Sequence, residues 1–95
     1  MDKCAGSELA LRNKQMQTVY AQVLSRAAGQ PATLAKIKAM QRAWMVYVYG
    51  YLAALYPLPD KQLEYGSMYP LEIALARSAL VQRHILDLQG LLTKQ

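Results

Sequence analysis

The fold class of this chain is decided by the stretch Trp44-Met45-Val46-Tyr47-Val48-Tyr49-Gly50-Tyr51-Leu52-Ala53-Ala54-Leu55-Tyr56. It lies within a longer run, residues 43–59, that carries no charged side chain. On a helix, every direction around this stretch presents an apolar or aromatic residue, whereas a soluble helix normally keeps one polar side for water. The stretch therefore predicts either the buried centre of a helical bundle or a surface that another molecule covers.

Three segments show apolar residues every three or four positions, the spacing of one helix face. The three segments cover, approximately, residues 7–28, 31–56 and 70–92. Gly29 is expected to end the first helix in a left-handed conformation, and Pro31 suits the first turn of the second. Pro57 and Pro59 stop the second helix. The sequence predicts a single all-α domain, residues 1–95, with three long helices in an up-down-up antiparallel bundle and a short extra helix near residues 59–65.

The chain is basic, with a formal net charge of +5 over 95 residues. Residues 1–48 hold seven Lys and Arg against two acidic residues, whereas residues 49–95 hold four of each sign. A basic half can bind nucleic acid, anionic lipid or an acidic protein patch. The basic residues are spread singly, which disfavours nucleic acid and favours a solvated helix face. The uncharged run is slightly too short for a membrane span and contains prolines.

Few residues have the chemistry of a catalytic or metal site. His84 is the one histidine and Cys4 the one cysteine, and neither has a partner at the spacing of a metal site or an activated nucleophile. No phosphate-binding glycine loop or paired-carboxylate motif occurs. We expect no enzymatic activity, no cofactor and no metal. Cys4 cannot form an intramolecular disulfide.

Polar residues on the apolar stripes are expected to make hydrogen bonds between helices rather than ligand contacts, because a buried amide needs a partner. These residues are Asn13, Gln41 and Ser78. Glu8 with Arg12, and Arg83 with Asp87, have the spacing of ion pairs on a helix surface.

Two neighbouring helices cannot cover every side of the second helix, and the remaining apolar area indicates self-association or a protein partner. Aromatic residues and Met are enriched at such interfaces. We expect the partner-binding residues to be Met45, Tyr49, Tyr51, Leu52 and Tyr56. Trp44 and Tyr47 are expected in the core.

Five short motifs occur in order along nearly the whole chain. They are Met1-Asp2-Lys3-Cys4-Ala5, Gln15-Met16-Gln17-Thr18-Val19-Tyr20, Ala39-Met40-Gln41-Arg42-Ala43-Trp44-Met45-Val46-Tyr47, Gly66-Ser67-Met68-Tyr69-Pro70-Leu71 and Leu80-Val81-Gln82-Arg83. Together they resemble the LprI-type lysozyme inhibitor domain, a small helical module of bacterial envelope and secreted proteins. The third motif is the most specific, being similar to the family's Ala-Gln-Arg-Ala-Trp-x-x-Tyr. The resemblance marks Gln41, Trp44, Tyr47 and Arg83 as signature residues.

The chain also departs from the family pattern. The resemblance implies a cysteine near Leu52 and another near Ala74 or Ala76, but this chain has no cysteine at these positions. The family's disulfide framework is therefore absent, and Cys4 lacks its expected partner. Val48 and Tyr49 stand where the family has Arg-Asp, which makes the second helix more apolar.

The resemblance implies a non-enzymatic protein-binding module with a lysozyme as partner. Because the start of the chain has no apolar leader, we expect a periplasmic or secreted protein if a leader has been removed, and a cytoplasmic one otherwise. Two alternatives remain open. One is a cytoplasmic, self-associating helical adaptor related to a secretion system, which forms a homodimer through the tyrosine-rich helix. The other is a basic binder of nucleic acid or an anionic surface.

Overall fold

Four helices make up the part of the chain that the computed structural model describes, namely the backbone of residues 2–94 and the side chains of residues 5–61 and 63–94. They are α1 (Asp2–Arg26), α2 (Pro31–Leu55), α3 (Lys61–Tyr65) and α4 (Tyr69–Lys94). Residues 2–94 contain no strand. The predicted all-α class with three long helices is confirmed, and α3 is the predicted short helix. The expectation about the thiol of Cys4 lies outside the described side chains.

The proline signals predicted the limits of α2 correctly. Pro31 is the first residue of α2, and the amide of Leu34 closes the first turn on the carbonyl of Gln30 at 2.9 Å. At the other end, the amide of Tyr56 bonds the carbonyl of Leu52 at 3.0 Å, directly before Pro57. Proline cannot continue this pattern because it lacks an amide hydrogen.

The expected conformation of Gly29 is wrong. Among the described residues, Gly66 alone has a positive φ, at 82°. The first connection turns instead through a hydrogen bond of 2.9 Å from the amide of Gln30 to the carbonyl of Ala27. Ala27 is fully buried, so packing rather than a left-handed glycine holds this turn.

The outer ends of α1 and α4 extend beyond their predicted limits. Helix α1 begins at Asp2 rather than near residue 7, and Ala5 in its first turns is buried. Helix α4 continues through Gly90 to Lys94. Burial of apolar side chains on a neighbouring helix stabilises such turns more than weak local propensity costs.

Helix α4 is the element on which the other helices pack. Its backbone lies close to α1 along much of the length, meets α2 at fewer points and contacts α3 at one end. Helices α1 and α4 run in the same direction, since Arg26 at the end of α1 donates a 2.9 Å hydrogen bond to the carbonyl of Leu92. Helix α2 runs the opposite way, as an up-down-up bundle requires.

Two hydrophobic clusters form the core. The larger one consists of Met16, Val23, Ala27, Ile37, Val81, Ile85 and Leu88. The smaller one joins the second half of α2 to α4 through Val48, Leu52 and Leu80. Trp44 is half-buried and packs against both clusters, so it connects them.

The molecule exposes more surface than its mass would suggest. Its accessible surface is 6337 Å², against about 5,500 Å² for a folded monomer of 10.6 kDa. Its radius of gyration is 15.7 Å, against about 12 Å for a typical domain of this length. The extents of 50 × 24 × 14 Å describe a long, thin bundle, in which each helix has few neighbours.

No helix in residues 2–94 has both the length and the apolar character needed to cross a bilayer.

Candidate functional site

The second half of α2 presents a continuous apolar surface to solvent. Six of its large apolar side chains are exposed, with fractions between 38% for Tyr51 and 71% for Val46. We call five of them the outer face of α2: Met45, Val46, Tyr47, Tyr49 and Tyr51. The sixth is Leu55, the last residue of the helix. Isolated exposed apolar residues are ordinary, but a contiguous group of this kind is typical of a surface that binds another molecule.

The structure separates the predicted binding residues into two groups. Met45, Tyr49 and Tyr51 lie on the outer face of α2. Leu52 is 6% exposed and packs with Val48 and Leu80, so its expected position on a binding surface is wrong. The reason is geometric, because Leu52 lies one turn after Val48 on the side that meets α4.

The expectation that Tyr47 belongs to the core is also wrong. Its side chain is 53% exposed, and its ring lies 5.8 Å from that of Tyr51 one turn further on. Trp44, in contrast, is half-buried between the clusters as expected. Sequence analysis did not assign Val46 to the surface, although its helical position opposite Val48 carries that signal.

Tyr56 belongs to a cluster of three tyrosines at the end of α2. Its ring centroid lies 5.1 Å from those of Tyr65 and Tyr69, in edge-to-face geometry. Burial raises the pKa of Tyr56 above its ordinary value of 10.0, and the Glu72 carboxylate and the two neighbouring tyrosines add to this. Tyr56 is half-buried, and its ring already packs against α3 and α4.

Hydrogen bonds hold the connection next to this cluster. The hydroxyl of Tyr65 accepts a 2.9 Å hydrogen bond from the amide of Leu58. The ammonium of Lys61 donates to the carbonyls of Tyr56 and Leu58, at 2.6 Å for the second. These contacts satisfy carbonyl groups of the connection between α2 and α3, which have no helical partners.

A groove of about 240 Å³ runs between α1 and α2, with α4 below it. Its lining residues are Leu9, Asn13, Met16 and Gln17 of α1, Gln41, Trp44, Met45, Val48 and Tyr49 of α2, and Arg77 and Val81 of α4. Met16, Val48 and Val81 are buried and give the groove an apolar floor. The groove exists because the backbones of α1 and α2 each lie closer to α4 than to one another.

Among the described residues that line the groove, Arg77 carries the one charge. Its guanidinium carbon lies 5.4 Å from the centroid of the Tyr49 ring, within the range of a cation–π interaction. Sequence analysis did not select Arg77, although its position four residues before the buried Val81 was a signal that it borders the core side of α4.

Below the groove, Gln41 joins α2 to α4. The Nε2 atom of His84 donates a hydrogen bond of 2.6 Å to the Gln41 side-chain oxygen, and both residues are buried. The imidazole also stacks on Trp44, with ring centroids 4.0 Å apart. The predicted hydrogen bond between helices is confirmed for Gln41. Two signature residues of the family resemblance, Gln41 and Trp44, thus hold the same histidine.

The other polar residues of the apolar stripes behave differently. Asn13 is exposed at the rim of the groove. Ser78 is buried, but among the described residues its hydroxyl has no hydrogen-bond partner, so the prediction for Ser78 is wrong. Arg12 and Glu8 form the predicted ion pair at 2.9 Å. In the described part of the chain, the exposed Arg83 forms no ion pair with Asp87.

Burial lowers the pKa of His84 below its ordinary value of 6.5, and the nearby Asp87 carboxylate opposes this only in part. The folded protein therefore takes up a proton at His84 less readily than the unfolded chain does. The contribution of neutral His84 to the free energy of unfolding is fully present above about pH 6.5 and decreases as the pH falls below that value. We expect the urea concentration at the unfolding midpoint to decrease between about pH 7.5 and pH 5.5.

The control for this pH dependence is His84→Gln, which removes the chain's one histidine. Carboxyl groups titrate mainly below about pH 5, outside this range. The variant should therefore unfold at a midpoint that changes little with pH. An equal pH dependence in both proteins would show that His84 is not its source.

The residues of the outer face and the groove carry apolar, aromatic and amide side chains, with Arg77 as the charged group. No three His, Cys, Asp or Glu side chains come together as metal ligands among those the structure describes. The fold and the apolar surface define a small helical protein with an aromatic face and an adjoining groove. A family model described as "Lysozyme inhibitor LprI" matches residues 1–88, and the chain belongs to this family. No curated protein and no solved structure matches the chain.

The buried Leu52 lies at a position where the chain departs from the family pattern. The resemblance implies cysteines near Leu52 and near Ala74 or Ala76, and the structure brings Leu52 and Ala76 into one hydrophobic cluster. Apolar packing therefore occupies a region for which the family pattern implies cysteines.

Proposed function

We propose that this protein is a non-enzymatic inhibitor that binds a lysozyme through the outer face of α2. The observation that carries the proposal is the exposure of this face, which has Tyr47 and Tyr51 on one flank and Met45 and Tyr49 on the other. Tyrosine provides a large apolar area together with a hydroxyl, and aromatic residues contribute most of the energy in many interfaces. Membership of the LprI family supports a lysozyme as the partner.

The way in which the face is mounted also supports binding. Val48 and Leu52 bury the opposite side of the same helical turns, and Gln41 is hydrogen-bonded to α4. The aromatic side chains therefore project from a supported helix rather than from a loop. A surface that is ordered before binding loses less conformational entropy when the partner arrives.

We propose a periplasmic or secreted location because the proposed partner is a lysozyme. A lysozyme acts on the bacterial cell wall, so an inhibitor must meet it outside the cytoplasm. The LprI family membership of the chain supports this proposal.

The direct test is a cell-wall lysis assay with the purified protein. We expect a tenfold molar excess over lysozyme to slow the lysis of bacterial cell walls, for at least one member of a panel that includes acidic and basic lysozymes. An unrelated helical protein of equal net charge is the control for nonspecific adsorption to the walls. Unchanged lysis rates for the whole panel would rule out the inhibitor function.

A second copy of this chain is the alternative partner for the outer face of α2. The excess of exposed surface over that of a typical monomer favours this alternative, because a dimer would cover part of it. Light scattering at high protein concentration distinguishes the two. A monomeric mass excludes the homodimer, whereas a dimer that persists with Met45 and Tyr49 both changed to alanine excludes this face as its interface.

A further inference from the structure

The groove beside the outer face of α2 contains one cationic side chain, Arg77, and none of its described lining residues is acidic. Arg77 is half-buried, lies over the Tyr49 ring and, among the described residues, has no carboxylate within ion-pair distance. Glu8, which precedes the groove residue Leu9 on α1, is paired with Arg12 at 2.9 Å. The cation in the groove is therefore free to pair with a partner.

Two further cations continue the same side of α2. Lys38, Arg42, Met45 and Tyr49 are separated by four, three and four residues, the spacing of a single stripe along a helix. All four side chains are exposed. Met45 and Tyr49 border the groove, so Lys38 and Arg42 extend its rim toward the start of α2. The whole path combines positive charge with apolar contact area.

We propose that this groove binds a carboxylate-bearing segment of the partner protein. An apolar side chain of that segment enters the groove above Met16, Val48 and Val81, and a neighbouring Asp or Glu pairs with Arg77. This inference rests on the proposed function, in which the partner is a lysozyme. It adds a preference: the protein binds lysozymes whose contact surface is acidic.

The electrostatics of the two proteins lead to the same preference. The chain carries a net charge of +5, so a basic lysozyme is repelled at long range and an acidic one is attracted. At contact, the Tyr49 ring holds the Arg77 guanidinium in place and removes part of its water. An ion pair with such a group is stronger than one between two fully solvated side chains.

The test compares two lysozymes of opposite net charge, with association followed at increasing salt concentration. We expect tighter binding of the acidic lysozyme and an association rate that falls as salt rises. Arg77→Glu should weaken binding of the acidic lysozyme by about tenfold or more. Arg77→Gln, which introduces no negative charge, is the second variant and should weaken binding to a smaller extent.

The matched control is Arg83→Glu on the same helix. Arg83 is exposed and does not line the groove, and its replacement changes the net charge by the same amount. We expect it to weaken binding by no more than roughly two- to threefold. Circular dichroism should show that both variants keep their helix content. Equal losses from Arg77→Glu and Arg83→Glu, or equal binding of the two lysozymes, would overturn the inference.

A peptide probe separates failure of this inference from failure of the proposed function. Trp44 is the one tryptophan and lines the groove, so its fluorescence reports occupancy. A Leu- and Glu-containing peptide should change this fluorescence in the wild type but not in Arg77→Glu, and the Leu- and Lys-containing counterpart should have no effect. This result without lysozyme binding would support the groove and reject the inhibitor. Lysozyme inhibition that is unchanged in Arg77→Glu would reject the groove as the binding site. Displacement of the acidic peptide by single-stranded DNA, at a concentration lower than that of the peptide, would also reject it.

Discussion

Replacing Leu88 with alanine should lower the free energy of unfolding by about 2–5 kcal/mol. Leu88 is 0% exposed and lies in the larger cluster with Val81 and Ile85 of its own helix and Val23 of α1. The substitution removes apolar contacts and leaves a cavity that a packed core fills only in part. Domains are typically stable by about 5–15 kcal/mol, so this loss is a large fraction of the total.

The matched control is Leu86→Ala on the same helix. Leu86 is 64% exposed, so the same chemical change removes little packing. We expect a loss of less than about 0.5 kcal/mol. Urea unfolding of the two variants measures the difference. Similar losses at the two positions would contradict the arrangement of α4, in which Leu88 faces α1 and Leu86 faces solvent.

Changing Met45 and Tyr49 together to alanine should weaken lysozyme binding by about 10- to 100-fold, if the outer face of α2 is the contact surface. Both side chains are at least 49% exposed, so their removal costs the fold little. They also border the groove, and the Tyr49 ring supports Arg77. The double variant therefore removes apolar contact area and the support of a cation at once. Calorimetric titration and inhibition of lysis measure the effect.

Leu63→Ala is the control for this double variant. Leu63 is the most exposed large apolar side chain among the described residues, at 77%, but it belongs to α3 rather than α2. Its removal should leave binding unchanged. Binding that survives the loss of Met45 and Tyr49 but falls with Leu63→Ala would move the contact surface away from α2. Unfolding midpoints of both variants near that of the wild type exclude a loss of folded protein as the cause.

Local signals in the amino-acid order were enough to identify the helices. Pro31 and Pro57 limit α2 through the lack of an amide hydrogen, which is a property of the residue itself. A hydrogen bond of Gln41 also follows from the residue type, because a buried amide without a hydrogen-bond partner lowers the stability of the fold. These conclusions needed no knowledge of how the helices pack. The limits of α1 and α4 were less accurate, since packing stabilises turns such as that around Ala5 beyond their local propensity.

The choice between buried and exposed residues on α2 depended on the bundle. Leu52 and Tyr47 are both apolar residues of one uncharged run, and yet the first is in the core and the second is in solvent. A helix that is apolar on every side has no polar side to show which way it faces. The direction is decided by the close packing of α1 on α4, which leaves α2 with fewer contacts.

The same packing creates features that no stretch of the chain contains alone. The groove requires the separation of α1 and α2, and the position of Arg77 over Tyr49 joins residues 28 positions apart on different helices. His84 meets Gln41 across 43 positions. Residue type and spacing along the chain determine which segments are helical, because helices form through local contacts. The distances between the helix axes determine which side chains meet and which remain open to a partner, because those distances arise only when the helices pack.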